Sequence, residues 1–408
     1  MKKIIHLTPL LCSIVFGGAA AMAVDLDSYS GPAQGPKVAS AMRPYGEEAA
    51  FGAEGIVEEE PEPWLSGSIV GSWADGFGQE GNRWNLNQVW LTIQKSADTN
   101  LPYDLGYHFD AIFGTNNLQC SGDGGFDGKW GVSDDGYAGS LYQAYIEGSV
   151  GQLVGKFGKF GTPIGYESVD ASANNFATHT HMFNNEPATH SGALFTLAPG
   201  APLELSVGLV AGSDNSWQNY RGDTGLVFGA ALNLDERFTI TYGSELLQTH
   251  SLLGENRTAQ CGGYYVLGGE PIGDQNEYLQ SVTVELGLSD QLSYAFQTNY
   301  GTMQDREMKK RRYGQYGFAN YLTYAFTDCF SASVRYEYYV QQLKLSAAPT
   351  ANLGKDHLDG EYHDVSFGLL YKPSPNIFVL PEIRYDWMNI IGAKNNGLTG
   401  AVAFGIVY

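Results

Sequence analysis

The sequence predicts a transmembrane antiparallel up-and-down β-barrel of about 16 strands, within a range of about 12 to 18, on three observations. The 408-residue chain contains 52 Gly, 26 Tyr and 20 Phe, which suits strands joined by tight turns because aromatic residues favour pleated surfaces and Gly relieves bends. From Trp64 onward, apolar and polar side chains alternate with a period of two. Short and long links alternate between these runs, as they do in outer-membrane barrels.

The first 63 residues have a different character from the rest of the chain. A basic start and an apolar run from Ile4 to Phe16 precede the small residues Ala21-Met22-Ala23, so residues 1–23 are predicted to be a secretory signal peptide that directs export through the inner membrane. Residues 24–63 contain nine acidic residues against two basic ones. Such a segment buries too little apolar surface to fold, and we expect a disordered acidic periplasmic segment. The outer-membrane β-barrel is then expected over residues 64–408.

Beyond the apolar run at the N-terminus, no stretch approaches the roughly 18 apolar residues that a transmembrane helix needs. A closed barrel is the other structure that satisfies its backbone hydrogen bonds in lipid. The alternating runs fall near 64–73, 84–96, 103–114, 140–149, 152–160, 187–198, 202–213, 223–234, 237–248, 277–288, 291–303, 315–326, 329–344, 361–372, 376–390 and 397–408. Each is long enough for the roughly 9 to 11 residues of a tilted membrane strand.

The links between these runs favour a barrel over a β-sandwich or a propeller. Short turns, such as Ser289-Asp290 and Thr327-Asp328, alternate with longer and mostly polar links. An outer-membrane barrel has short periplasmic turns and longer outside loops, whereas a sandwich or propeller has no reason to follow this order. The long links are predicted at 74–83, 115–139, 161–186, 214–222, 249–276, 304–314, 345–360 and 391–396.

Charged residues inside the alternating runs predict which faces line a water-filled lumen. Within 329–341 and 377–388, the apolar side chains of alternate positions suit lipid, and the remaining positions suit water. A charge on such a strand faces the aqueous side. The predicted lumen residues of these two runs are Arg335, Glu337, Glu382, Arg384 and Asp386.

Composition and motifs argue against several other functions. A net charge of −21 disfavours nucleic acid as a partner, because binding to phosphates needs clustered Lys and Arg. No GxSxG, P-loop or HExxH motif is present, nor a GxGxxG between a strand and a helix, so the sequence predicts no enzyme activity. Cys120 and Cys261 fall in predicted outside loops, where an oxidising compartment permits a disulfide if their geometry matches.

Histidines in the 161–186 loop and just after it raise the alternative of a zinc site. His179, His181 and His190 lie close to Glu186 in sequence, and histidine and carboxylate are ligands that zinc accepts. The His-x-His pair, however, lacks a third ligand at a recognised spacing. We therefore interpret His179 and His181 as pore-lining residues and predict no metal and no cofactor.

Several motifs resemble the porin-2, OmpL-like family of bacterial outer-membrane β-barrel porins. The resemblance spans residues 84–408 and is most specific in two places. It implies a passive channel, in a family whose substrates are mostly unassigned. The matching motifs are Phe157-Gly158-Lys159-Phe160-Gly161-Thr162-Pro163-Ile164-Gly165-Tyr166-Glu167, Asn175-Phe176, Glu186-Pro187, Thr189-His190 and Pro381-Glu382-Ile383-Arg384-Tyr385-Asp386-Trp387.

These observations together predict an outer-membrane porin for passive diffusion of small hydrophilic solutes, because about 16 strands leave an aqueous channel. We expect the 161–186 loop to form a constriction in which three acidic residues face Arg335 and Arg384 across the passage. Such opposed charges would create a transverse field, and the acidic chain suggests a mild cation preference. The three acidic residues are Glu167, Asp170 and Glu186.

Two rival functions stay open at this point. A substrate-specific channel for sugars or oligosaccharides would use the many Tyr and Trp as stacking surfaces, although aromatic girdles at the membrane interfaces use the same residues. A barrel enzyme or a surface adhesion protein would need a catalytic cluster that the sequence does not show. The expected partners are outer-membrane lipid, small hydrophilic solutes and ions, no nucleic acid, and, by analogy with porins of this size, a homotrimer.

Overall fold

The chain forms a barrel of sixteen strands. The computed structural model describes residues 65–76, 83–115, 137–197, 202–214, 222–235, 237–249, 274–306, 311–344, 357–390 and 392–408. The strands are β1 (Leu65–Gly76), β2 (Arg83–Lys95), β3 (Asp104–Gly114), β4 (Ala138–Val150), β5 (Leu153–Gly161), β6 (Thr189–Leu197), β7 (Leu203–Ser213), β8 (Thr224–Asp235), β9 (Phe238–Thr249), β10 (Gln275–Gly287), β11 (Leu292–Asp305), β12 (Arg311–Thr327), β13 (Phe330–Lys344), β14 (His357–Ser374), β15 (Ile377–Ile390) and β16 (Ala393–Val407).

Every strand pairs antiparallel with its neighbours in sequence, and β1 pairs with β16 to close the barrel. The closing register runs from Ser68 opposite Val407 to Gly76 opposite Thr399. Closure leaves no unpaired strand edge, which is what a sheet in a lipid environment requires. The predicted fold class, an antiparallel up-and-down barrel of about 16 strands, is confirmed.

The barrel is apolar outside and polar inside, the reverse of a soluble protein. On β13, the outward Val334 is 44% exposed, while the inward Arg335 and Glu337 are 0% exposed. Alternate residues of a strand point to opposite faces, so the period-two pattern in the sequence becomes a lipid face and a luminal face. Among the described residues, no helix is both long and apolar enough to cross a membrane.

At the end of the barrel that carries the long links, some strands begin or end at other residues than the sequence predicts. The predicted long link 391–396 is wrong: β15 extends to Ile390 and β16 begins at Ala393. Gly392 lies in this short link with a φ of 86°, a conformation that Gly adopts without steric cost. At the same end, β14 begins at His357 rather than near 361. The ends of these strands carry polar residues and therefore lack the alternation used to find them.

Three sequence predictions lie outside the described residues. They are the signal peptide at 1–23, the acidic segment at 24–63, and the disulfide between Cys120 and Cys261.

Candidate functional site: a loop folded into the barrel

The segment between β5 and β6, residues 162–188, turns into the barrel as soon as β5 ends; we call it the luminal loop. The Pro163 carbonyl oxygen lies 2.0 Å from the position that a Cβ atom on Gly243 of β9 would occupy. Gly165 has a φ of 104° and so reverses the chain where other residues would be strained. Ile164, between these two, is fully buried. The loop therefore rests on the inner wall from its first residues.

Carboxylates of the opposite wall hold the loop by its backbone. Glu337 of β13 accepts hydrogen bonds from the backbone amides of His181 and Met182, both at 2.7 Å. Glu382 of β15 accepts one from the Thr178 amide and one from the Thr178 hydroxyl, both at 2.8 Å. A buried carboxyl group is stable only when its oxygens are hydrogen-bonded. These four bonds fix the middle of the loop against β13 and β15.

Arg335 is the centre of a buried ionic network between the wall and the loop. Its guanidinium donates to Glu167 at 3.0 Å, to Asp364 of β14 at 3.3 Å and to the Thr178 carbonyl oxygen at 2.7 Å. A further bond reaches the Ser366 hydroxyl at 3.2 Å. A buried charge is tolerated only when it is paired and its hydrogen bonds are satisfied. The network meets that condition and leaves Arg335 with no exposure to the lumen.

Glu167 is the loop residue that completes this network. Its carboxylate accepts from the Thr180 amide at 3.0 Å, from the Tyr321 hydroxyl at 3.1 Å and from His179 Nδ1 at 3.0 Å, in addition to Arg335. Burial acts to raise the pKa of Glu167, but the charge of Arg335 and the bond from His179 outweigh it, so the pKa lies below its usual value. Glu167 is therefore ionised where it meets Arg335.

Arg384 of β15 binds the same part of the loop. It donates to Asp386 through Nε at 2.9 Å and through Nη2 at 2.7 Å, and to the His179 carbonyl oxygen at 2.5 Å. Its Nη2 also lies 3.2 Å from His181 Nε2. The same His181 nitrogen lies 3.6 Å from Asp386 Oδ1. Asp386 neutralises the arginine locally.

Asp170 lies at a different part of the wall, where the residues on either side of it bind β2. Gln88 of β2 donates to the Val169 carbonyl oxygen at 2.7 Å and accepts from the Ala171 amide at 2.9 Å. Asp170 itself caps a short 3-10 turn by accepting from the Ser172 amide at 2.9 Å. Burial raises the pKa of Asp170, against the hydrogen bonds from Ser172. This acidic residue therefore caps the chain and does not face an arginine.

Glu186, near the end of the loop, contacts β11. Its Oε1 accepts from the side-chain amides of Gln297 and Asn299. Burial raises the pKa of Glu186 to about 7, and the nearby charge of Glu167 adds to this shift. Within the described part of the chain, the Oε2 atom has no hydrogen-bond partner.

Apolar contacts fill the spaces between these polar anchors. Tyr166, Phe176 and Met182 of the loop pack with Tyr321 and Tyr339 of the wall. Other loop residues pack against Trp90, Ile112 and Tyr142 on one side and against Val70, Phe378 and Leu380 on another. The luminal loop is thus packed around the inner wall. Of its residues 162–188, all of which the structure describes, Asn184 is the one that is exposed.

The structure brings the predicted site residues together differently from the expected arrangement. All three loop acids lie in the barrel, but Glu167 alone among them pairs with an arginine, and it does so in direct contact. The charges of Glu167 and Arg335 therefore meet in a buried ion pair. They do not face each other across an open gap, as the expected transverse electric field requires. His190 lies apart from the other histidines, buried at the start of β6 and 3.1 Å from the Thr162 hydroxyl.

Several residues of the site were missed in the sequence. Asp364 could have been found, because it is a charge within a predicted strand. Gln88, Gln297 and Asn299 gave no signal, since polar side chains of this kind are found throughout an acidic barrel wall. Among the described residues, no group of three or more His, Cys, Asp or Glu side chains is placed to hold a metal ion.

A closed barrel with an apolar exterior, a charged interior and a loop folded into the lumen is the architecture of an outer-membrane porin-like channel. The family model described as "Putative beta-barrel porin-2, OmpL-like" matches residues 71–406. The chain belongs to this family, and the family and fold place it in the bacterial outer membrane.

Solved structures of the same fold share little sequence with this chain. The trimer form of OmpT from Vibrio cholerae is 12% identical, with a TM-score of 0.55 over 84% of this chain and 98% of that one. The outer-membrane channel DcaP of Acinetobacter baumannii is 11% identical, with a TM-score of 0.54 over 84% and 96%. An anion-selective porin from Comamonas acidovorans is 9% identical, with a TM-score of 0.52 over 84% and 98%. No curated protein sequence matches the chain.

Proposed function

We propose that the chain forms a water-filled channel for passive diffusion of small hydrophilic solutes, constricted by the luminal loop and mildly cation-preferring. The observation that carries this proposal is the loop itself, which is anchored inside the barrel to β2, β11, β13 and β15. A loop in the lumen narrows the aqueous path at the level where it lies, and charges at the narrowest level govern which ions pass.

Cation preference is supported by the charge balance around the loop. Two guanidinium groups are surrounded by five carboxyl groups, those of Glu167, Glu337, Asp364, Glu382 and Asp386. The fold alone does not set selectivity, since a porin of the same fold is described as anion-selective. An excess of carboxylates raises the local concentration of cations.

Replacing Asp170 with Asn is expected to weaken the cation preference. Asp170 is partly exposed to the lumen and is held by hydrogen-bond donors, so removing its charge leaves the loop in place. We expect the cation-to-anion permeability ratio, measured from reversal potentials in planar bilayers under a KCl gradient, to fall roughly twofold. Asp290→Asn, at an exposed turn between β10 and β11, is the control and should leave the ratio unchanged. An anion-selective wild-type channel would contradict the proposed preference.

A sugar-specific channel is the second candidate, because the loop and the wall beside it carry aromatic rings. His179 stacks on Phe183 with ring centroids 3.8 Å apart, and His181 lies 4.8 Å from the Tyr362 ring. Rings of this kind can contact the apolar faces of sugars. Liposome swelling with a series of sugars separates the two functions: saturable uptake supports a binding site, and uptake graded by size supports a sieve.

Assembly and export complete the proposal. A homotrimer is supported by the trimer form of OmpT, which shares the fold. We also propose that residues 1–23 are a signal peptide and that residues 24–63 form an acidic periplasmic segment. The family and the fold point to a channel rather than an enzyme.

A further inference from the structure

The C-terminal limb of the luminal loop, residues 183–188, is held by fewer ionic contacts than the middle. Asn185 accepts from Gln315 of β12 through its carbonyl oxygen at 3.2 Å, and from Gln341 of β13 through its side chain at 2.5 Å. Where the limb meets β6, Asp214 accepts from the amides of Ala188 and of Thr189, the first residue of β6, at 2.9 Å each. Between these neutral and backbone contacts lies a single buried acid, Glu186.

Glu186 occupies a site that suits a protonated carboxyl group. Its two donors, Gln297 and Asn299, are neutral amides that both bind Oε1. Within the described chain, no donor reaches Oε2, although the residue is buried. A buried ionised oxygen without a donor is far more costly than a neutral one. The contacts of Glu186 thus hold the neutral acid better than the carboxylate.

The charged groups around the limb do not supply a cation for Glu186. From the loop itself, Glu167 adds negative charge but is paired with Arg335. Facing the limb from the end of β7 is Asp214, and from β6 and β9 come His190 and Glu245, whose nearest atoms are 3.9 Å apart. Lys159 of β5 donates to the Leu141 carbonyl oxygen and acts on Asp214 rather than on Glu186, whereas the charge of Glu167 opposes ionisation of Glu186.

We propose that Glu186 is a protonation-dependent latch of the luminal loop: the neutral acid holds the C-terminal limb on β11, and the carboxylate releases it. This inference rests on the proposed channel function and adds a regulatory role for one residue of the loop. The limb lies against the wall when docked, so release can move it in one direction only, toward the axis of the barrel. Release therefore obstructs the passage.

The direction of the pH dependence follows from the raised pKa of Glu186. The pKa lies at about 7 in the docked limb, against 4.5 for an ordinary glutamate. Docking is fully favoured below pH 4.5 and loses this contribution as the pH rises through about 7. Over that interval the ratio of released to docked limb is expected to rise on the order of a hundredfold, since each unit of pKa shift is tenfold in an equilibrium.

Single-channel recording of the full-length protein in planar bilayers between pH 4.5 and pH 8.5 tests the latch. We expect the time spent in a low-conductance state to rise with a midpoint near pH 7. Glu186→Gln keeps an oxygen for the two amide donors and resembles the neutral acid, so it should stay in the high-conductance state at every pH. Glu204→Gln removes a luminal charge at the far end of β7, away from the loop, and should keep the wild-type pH dependence.

Each outcome is decisive for the latch. A wild-type channel without a pH step, or a Glu186→Gln channel that retains it, would overturn the proposal. Retention of the heat-modifiable folded form on gels shows that the variants are folded barrels. Absence of any channel in the folded wild-type protein would instead refute the proposed function, so the two failures are distinguishable.

Discussion

Replacement of Arg335 by methionine is expected to detach the luminal loop while leaving the barrel closed. Without the guanidinium, Glu167, Asp364 and Glu382 remain as buried acids that have lost their shared cation. Breaking a buried ion pair from one side typically costs about 3–5 kcal/mol. This cost falls on the docking of the loop, because the strand pairs on both sides of Arg335 are formed by the backbone.

The measurement is single-channel conductance together with proteolysis of the loop in detergent. We expect frequent transitions to low-conductance levels and a loop that is cleaved far faster than in the wild type. Combining Arg335→Met with Glu167→Gln should restore part of the docking, because the pair is then neutral on both sides. Arg237→Ala is the matched control: its 2.6 Å pair with Asp290 is largely exposed, and exposed pairs contribute little. A stable, wild-type-like loop in the Arg335→Met variant would refute the anchoring role.

Substituting Ala for Gly243 is expected to displace the start of the loop with a single methyl group. The added Cβ would lie 2.0 Å from the Pro163 carbonyl oxygen and 3.0 Å from the Ile164 Cα. Both are backbone atoms, so no side-chain rotation relieves the overlap. Overpacking of this kind costs about 1–3 kcal/mol or more, and the loop, rather than the hydrogen-bonded wall, is the part able to move.

The control for Gly243→Ala is Gly400→Ala, since a Cβ atom at Gly400 would meet nothing within 4 Å. Both variants add the same methyl group to a strand. We expect altered single-channel conductance and faster loop cleavage for Gly243→Ala, and wild-type behaviour for Gly400→Ala. Equal behaviour of the two variants would show that the wall does not position the loop at this point.

The barrel could be predicted from the sequence because its determinants are local. On β13, the two charges at Arg335 and Glu337 fall on one face of an alternating run, and that pattern alone places them inside. The ends of strands were less predictable, as the early start of β14 at His357 shows. Beyond the apolar band, the alternation that identifies a strand is no longer required.

The luminal site was predictable in its residues but not in its contacts. Charged strand positions such as Glu337 were found, yet its partners are backbone amides 155 and 156 residues away in sequence. Backbone amides are present at nearly every residue and carry no sequence signal. Whether Glu186 meets an arginine or the amides of Gln297 and Asn299 depends on the path of the loop, which alternation does not encode.

The use of backbone amides as the anchoring groups makes the loop an adaptable scaffold. Glu337 and Glu382 accept hydrogen bonds mainly from the backbone amides of His181, Met182 and Thr178. These hydrogen bonds can therefore form even when the loop side chains are replaced. Asn184, which is exposed, takes no part in these bonds, so its replacement leaves them intact. The path of the middle of the loop is thus compatible with many different side chains, because the groups that hold it are present in every residue.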